Sequence, residues 1–244
     1  MLRPWQKVLI KHSSEELVTL PLELYRLEPH CYQSLGAPYG TLDSPWMLRE
    51  EVAKRLLAAQ GFLKQSHNKY RLAIFDAWRP IRVQKFMYEY SINQECIARG
   101  INRNLGSENP EIIEVIDSVN KFWALPCMDS SMPPPHSTGA AVDLTLALSN
   151  GNPLDMGGEI DFMGSVSTPD YYSKTKNHDQ SFNEYLWHAR RSLLKNVMQE
   201  AGFVQHPNEW WHFSFGDQLW AWGKQFKECF YGAVDTCESN SLIS

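Results

Sequence analysis

The stretch "GAAVDLTLAL", residues 139–148, reads as a strand, with apolar and β-branched residues broken only by Asp143. Alternation along a strand puts Asp143 on the same face as Ala141 and Thr145. An ionised carboxylate among apolar neighbours is costly unless it is paired or holds a metal, so Asp143 signals either a salt bridge or a cation. Just upstream, "SMPPPHS" (131–137) brings His136 to the strand through three prolines, which favour a stiff extended segment, and Gly139 makes a turn between the two.

Further out, "YRLAIFDAW" (70–78) reads as a second buried strand, and Pro80 fits the first turn of a helix through Val83, Met87 and Tyr90. Arg79 therefore stands at a strand-to-helix junction. "GFVQH" (202–206) and "EWWHFSF" (209–215) read as two strands joined by a short turn at Pro207 and Asn208. An early helix is expected from Ser44 as N-cap and Pro45 at the first position, with Leu48, Val52 and Leu56 on one face and Gly61 past its end. Asn109 and Pro110 open another helix, with Ile112, Ile116 and Val119 facing inward, and Ser181 caps a long one through Leu194, Met198 and Ala201. The expected class is α+β, one domain over 1–244, with a largely antiparallel sheet and helices packed outside it.

The 244 residues are 43% apolar, enough for a substantial core, and carry a formal net charge of −5 with no basic stripe, which excludes nucleic acid as an expected partner. The first twenty residues hold an apolar run of only Val8 to Ile10, so neither a signal peptide nor a membrane span is expected, and a cytoplasmic protein is. Cys31, Cys96, Cys127, Cys229 and Cys237 form no CxxC pair and are read as free, mostly buried thiols.

In "EWWH" (209–212), Glu209 and His212 taken alone fit a strand start with a hydrogen-bonded histidine. With His136 and Asp143 added, two imidazoles and one carboxylate make a set suited to Zn²⁺, with a fourth position left for water and Glu209 beside it. Residues three apart on a flat strand face opposite ways, so Glu209 and His212 share a site only if the strand entry bends. His178, His188 and His206 lack a carboxylate at a telling spacing and are read as exposed or core histidines.

"HSTGAAVD" (136–143) and "EWWH", with "FDAWRP" (75–80) upstream, resemble the D-alanyl-D-alanine dipeptidases of the vancomycin-resistance type. Their superfamily also holds lysostaphin-like and hedgehog-like zinc folds. The resemblance spans most of residues 70–215, with the motifs in the family's order. It implies one Zn²⁺ ligated by His136, Asp143 and His212, Glu209 as general base, and Arg79 against the scissile carbonyl. It also implies that Asp161, in "GGEIDFM" (157–163), meets the substrate's free amine. The sequence departs from the pattern at Pro134, where the family commonly has serine, and across residues 1–45. The tail 216–244 lies outside the clear match, and Trp220, Trp222 and Phe226 are read there as packing residues.

The expected activity is hydrolysis of the free dipeptide D-alanyl-D-alanine. Its rivals are a zinc D,D-carboxypeptidase or cell-wall endopeptidase, which needs an open cleft, and a binding module with a structural zinc, which needs a fourth protein ligand. A dipeptide carries an ammonium and a carboxylate close together, so a selective pocket is small, closed and oppositely charged at its two ends.

Overall fold

Residues 139–148 lie at the centre of the main sheet. The computed structural model describes residues 3–11, 13–41, 43–127, 129–174 and 181–234. In chain order its elements begin with β1 (Leu9–Ile10), β2 (Leu17–Thr19), β3 (Tyr25–Arg26), α1 (Cys31–Ser34), β4 (Met47–Arg49), α2 (Glu50–Ser66) and β5 (Tyr70–Asp76). There follow α3 (Ile81–Arg99), α4 (Pro110–Val119), β6 (Ala141–Leu148), α5 (Phe182–Glu200), β7 (Val204–Gln205), β8 (His212–Ser214), α6 (Gln218–Gly223) and β9 (Glu228–Cys229).

The main sheet has five strands in the order β3-β5-β6-β8-β7. Its pairings are antiparallel except β3 with β5, which is parallel, so the sheet is mixed. Two small sheets bind the N-terminal segment to the rest: β2 runs antiparallel to β4, and β1 runs parallel to β9.

One face of β6 presents Val142, Leu144 and Leu146 to a core shared with Val52, Leu56 and Leu63 of α2 and Leu194 and Met198 of α5. Leu144 and Leu56 are wholly buried, and removing such side chains from water is worth roughly 1.5–3 kcal/mol each. A second core joins Val83, Met87 and Ile92 of α3 to Ile112, Val115 and Val119 of α4, with Tyr32 and Trp123. Asp143 points from the other face of β6, as the alternation requires.

The helix starts at Asn109 and Ser181 follow the expected chemistry. Asn109 Oδ1 accepts from the Glu111 amide at 2.9 Å ahead of Pro110. Ser181 and Glu184 form a reciprocal capping box. The early helix begins later than expected. Residues 47–49 are held extended by pairing with 17–19, so Arg49 is the N-cap and Ser44 Oγ instead accepts from the Trp46 amide. Gly61 lies inside α2, not past its end, because Leu63 continues the buried stripe. Pro80 is the N-cap of α3, one place before the expected first turn.

In the tail Trp220 is buried, but Trp222 and Phe226 are 41% and 53% exposed, so of these only Trp220 is a core residue. Cys31, Cys96, Cys127 and Cys229 are free, with Cys96 and Cys229 buried; Cys237 lies outside the described residues. Among the described residues no helix is long and apolar enough to cross a membrane.

Candidate active site

Three neighbouring strands carry the site in one row. Asp76 on β5 is the register partner of Asp143 on β6, and Asp143 is the partner of His212 on β8. Directly opposed residues share a face, so their side chains meet. The first pairing depends on a bulge: the register steps from Ile74↔Leu144 to Asp76↔Asp143, leaving Phe75 as the extra residue. Without that extra residue Phe75 would stand opposite Asp143.

His136 arrives from outside the sheet, on a short 3-10 turn at Pro135–Thr138. Pro134 before it has φ −57° and ψ 138°, the extended form expected of the proline run. The turn is fastened to the β5–α3 junction, with the Arg79 amide donating to His136 O and Ser137 Oγ donating to Arg79 O. The bend at residues 210–211 brings Glu209 to the same side as His212. Glu209 Oε2 lies 3.8 Å from His212 Nδ1 and Oε1 lies 3.5 Å from His206 Nδ1.

The hydrogen bonds fix which imidazole nitrogens are bare. His136 Nδ1 is 2.7 Å from the Ala77 carbonyl, which can only accept, so the proton is on Nδ1 and Nε2 carries the lone pair. His212 Nε2 is 3.3 Å from Ser214 Oγ, which donates its own proton to Asp217 Oδ2 at 2.8 Å. His212 therefore donates through Nε2, and its Nδ1 is bare. The two bare nitrogens lie 3.1 Å apart, and each is 3.0–3.1 Å from an oxygen of Asp143.

Asp143 Oδ1 makes no hydrogen bond although it is buried. Lone pairs from three groups thus converge with no proton between them, the donor set of a cation site. Ligands about 2.0–2.1 Å from a tetrahedral zinc stand roughly 3.3 Å from one another, close to these separations. Among the described residues the group ends at His136, Asp143 and His212. Glu209 and His206 stand beside it.

Burial, and then the charge of Asp143, push Glu209 up to about 8. The same two causes push Asp161 up to about 6. Burial, then the neighbouring His212, holds His206 well below the ordinary histidine value.

Arg79 is buried, which removes the alternative of a surface ion pair. Its Nε and Nη2 both donate to Asp76 Oδ2, at 2.9 and 2.6 Å, and Nη1 donates to Gln84 Oε1 at 2.9 Å. Nη2 also reaches Tyr32 Oη at 3.1 Å and lies 3.5 Å from Asp143 Oδ2. Tyr32 in turn donates to Asp161 Oδ2 at 2.6 Å. Asp161 holds φ +65°, a left-handed conformation that aspartate tolerates better than most residues. Arg79, His136, Asp143, Asp161, Glu209 and His212 all line one cavity of about 40 Å³.

A family model described as D-ala-D-ala dipeptidase matches residues 26–231. The chain belongs to this family. A D-alanyl-D-alanine dipeptidase of Synechocystis sp. is 41% identical over 244 aligned residues, covering 96% of this chain and 98% of its own. One from Enterococcus faecium is 30% identical over 169 residues, 68% of each chain. Among solved structures, the LdcB LD-carboxypeptidase overlaps 89% of this chain and 81% of its own, with a TM-score of 0.45 and 14% identity. Like its family, the protein is a peptidase.

Around the candidate site the structure also gathers residues that the motifs did not single out. Asp76, paired to His30 Nε2 at 3.0 Å, anchors Arg79. Tyr32 joins Arg79 to Asp161. His206, expected to be exposed or a core histidine, is buried in the cavity wall against Glu209. His178 lies outside the described residues. Arg3, from the N-terminal segment ahead of the family model's match, also lines the cavity.

Proposed function

We propose that the protein hydrolyses free D-alanyl-D-alanine in the cytoplasm, with one Zn²⁺ held by His136, Asp143 and His212 and Glu209 as the proton-transfer group. The observation that carries this reading is the convergence of the three bare ligand atoms beside Glu209, in a small cavity of a chain from this family. When bound, the ion supplies a Lewis acid beside the scissile carbonyl and acidifies water at the site. Its charge also opposes the two causes that raise Glu209, keeping that side chain a carboxylate near neutral pH.

Glu209 takes the proton of the attacking water and returns it to the leaving amine. Its carboxylate lies 3.8 Å from His212 Nδ1, beside the three converging ligand atoms. Arg79 presents a guanidinium already fixed by Asp76 and Gln84, so it stabilises the carbonyl oxygen as negative charge develops without reorganising. Asp161 receives the substrate's ammonium, whose positive charge favours the carboxylate form.

The deciding assay compares D-Ala-D-Ala, L-Ala-L-Ala and N-acylated D-Ala-D-Ala on purified protein of known zinc content. Cleavage of the free D,D-dipeptide alone is expected. Preference for the blocked peptide would make the protein a carboxypeptidase, and bound zinc without hydrolysis of any would make it a binding module. Glu209→Ala is expected to keep its zinc and lose nearly all turnover; substantial residual turnover removes Glu209 from the mechanism.

A further inference from the structure

The cavity wall contains two guanidinium groups, and only one of them is neutralised. Arg79 is paired with Asp76. Arg3 forms no ion pair among the described residues. Its Nη2 donates to the carbonyls of Asn120 and Phe122, at 3.3 and 3.2 Å, and its guanidinium lies 5.6 Å from the centre of the Trp5 ring. Nε and Nη1 make no hydrogen bond among the described residues.

Two carbonyls and a ring therefore fix the plane of Arg3 while leaving donors unused. Arg3 is only partly buried, and a guanidinium edge with unused donors is shaped for a carboxylate. Glu209 is the acid that Arg3 senses across the cavity, yet the two are not in contact. The adjoining wall, Phe122, Trp123, Ala124 and Pro135, carries no charge. Asp161 lines the same cavity, so the cavity offers both an acid and an unpaired cation.

We propose that Arg3 binds the C-terminal carboxylate of the dipeptide and makes the enzyme selective for substrates with a free carboxylate one residue beyond the scissile bond. This rests on the dipeptidase reading and deepens it. With Asp161 at the amine end, the site measures a substrate of two residues by its two charges.

The test is kcat/KM for D-Ala-D-Ala and for its C-terminal amide, with wild type, Arg3→Gln and Arg3→Lys. Wild type is expected to favour the acid. Arg3→Gln should lower the acid-to-amide ratio by about 10- to 100-fold, the range of a hydrogen bond to a charged group, and Arg3→Lys should regain part of it. Equal losses on both substrates, or no wild-type preference for the acid, would overturn the assignment and leave Arg3 as a prop for the segment after α4. Hydrolysis of neither substrate by zinc-loaded wild type would instead sink the dipeptidase reading, and the assignment with it.

Discussion

At the site each imidazole has one nitrogen committed to the protein, and the commitments differ in strength. His136 hangs from a backbone carbonyl at 2.7 Å, whereas His212 depends on the longer 3.3 Å contact with Ser214. Ser214→Ala removes that partner and frees the His212 ring to turn. Zinc affinity, read by competition with a chelator, is expected to fall about 10- to 100-fold; unchanged affinity would mean that packing alone holds the ring. That His136, Asp143 and His212 gather as a candidate metal group was legible in the sequence because two imidazoles and a carboxylate suit a cation. Ser214 was not, because a serine two residues past a histidine in a strand says nothing until the rotamers are known. Asp76 stood in plain view three residues before Arg79, but its meeting with Asp143 needs the extra residue at Phe75, which alternation does not foretell.

Among the elements, the long periodic segments and the helix starts at Asn109 and Ser181 were read correctly, whereas both ends of α2 were not. The stripe of α2 was legible, but its start was hidden because Leu48 fits both a helical face and the short strand β4. The turn between His136 and β6 shows how backbone freedom reaches the proposed metal ligands. Gly139 holds φ +70°, and a β-carbon there would lie 2.3 Å from Leu17 Cδ2. Its carbonyl also accepts from the Arg49 amide at 2.9 Å, tying the turn to β4. Gly139→Ala is expected to cost at least about 1–2 kcal/mol from the left-handed backbone, before Leu17 moves aside. A lower urea midpoint with an unchanged m-value would show this, together with weaker zinc binding as His136 shifts against Asp143. A midpoint equal to wild type would show that the turn relaxes freely.

For the whole molecule, the class and the central sheet were legible, whereas the role of the N-terminal segment was not, because its contacts join residues far apart in sequence. The proposed ligands come from a turn, β6 and β8, so metal binding there would act as a cross-brace and chelation should lower stability. At free zinc 100 times Kd the gain is about 2.7 kcal/mol, roughly 5–10 °C in Tm for a chain of this size, and scanning calorimetry with and without chelator checks it. Equal melting temperatures would mean that no ion is held. The pairing of Leu9 with Glu228 and Ile10 with Cys229 joins the two ends of the described chain, behind a segment whose Arg3 forms part of the cavity wall. On the ribosome, Glu209 and His212 emerge before β9, so a nascent chain can hold every ligating residue while the strand that docks its first segment is still unmade. Contacts of such long sequence separation form late. Seating of the N-terminal wall therefore waits on β9, and a chain cut short before β9 keeps the proposed ligands but lacks the strand that pairs with β1.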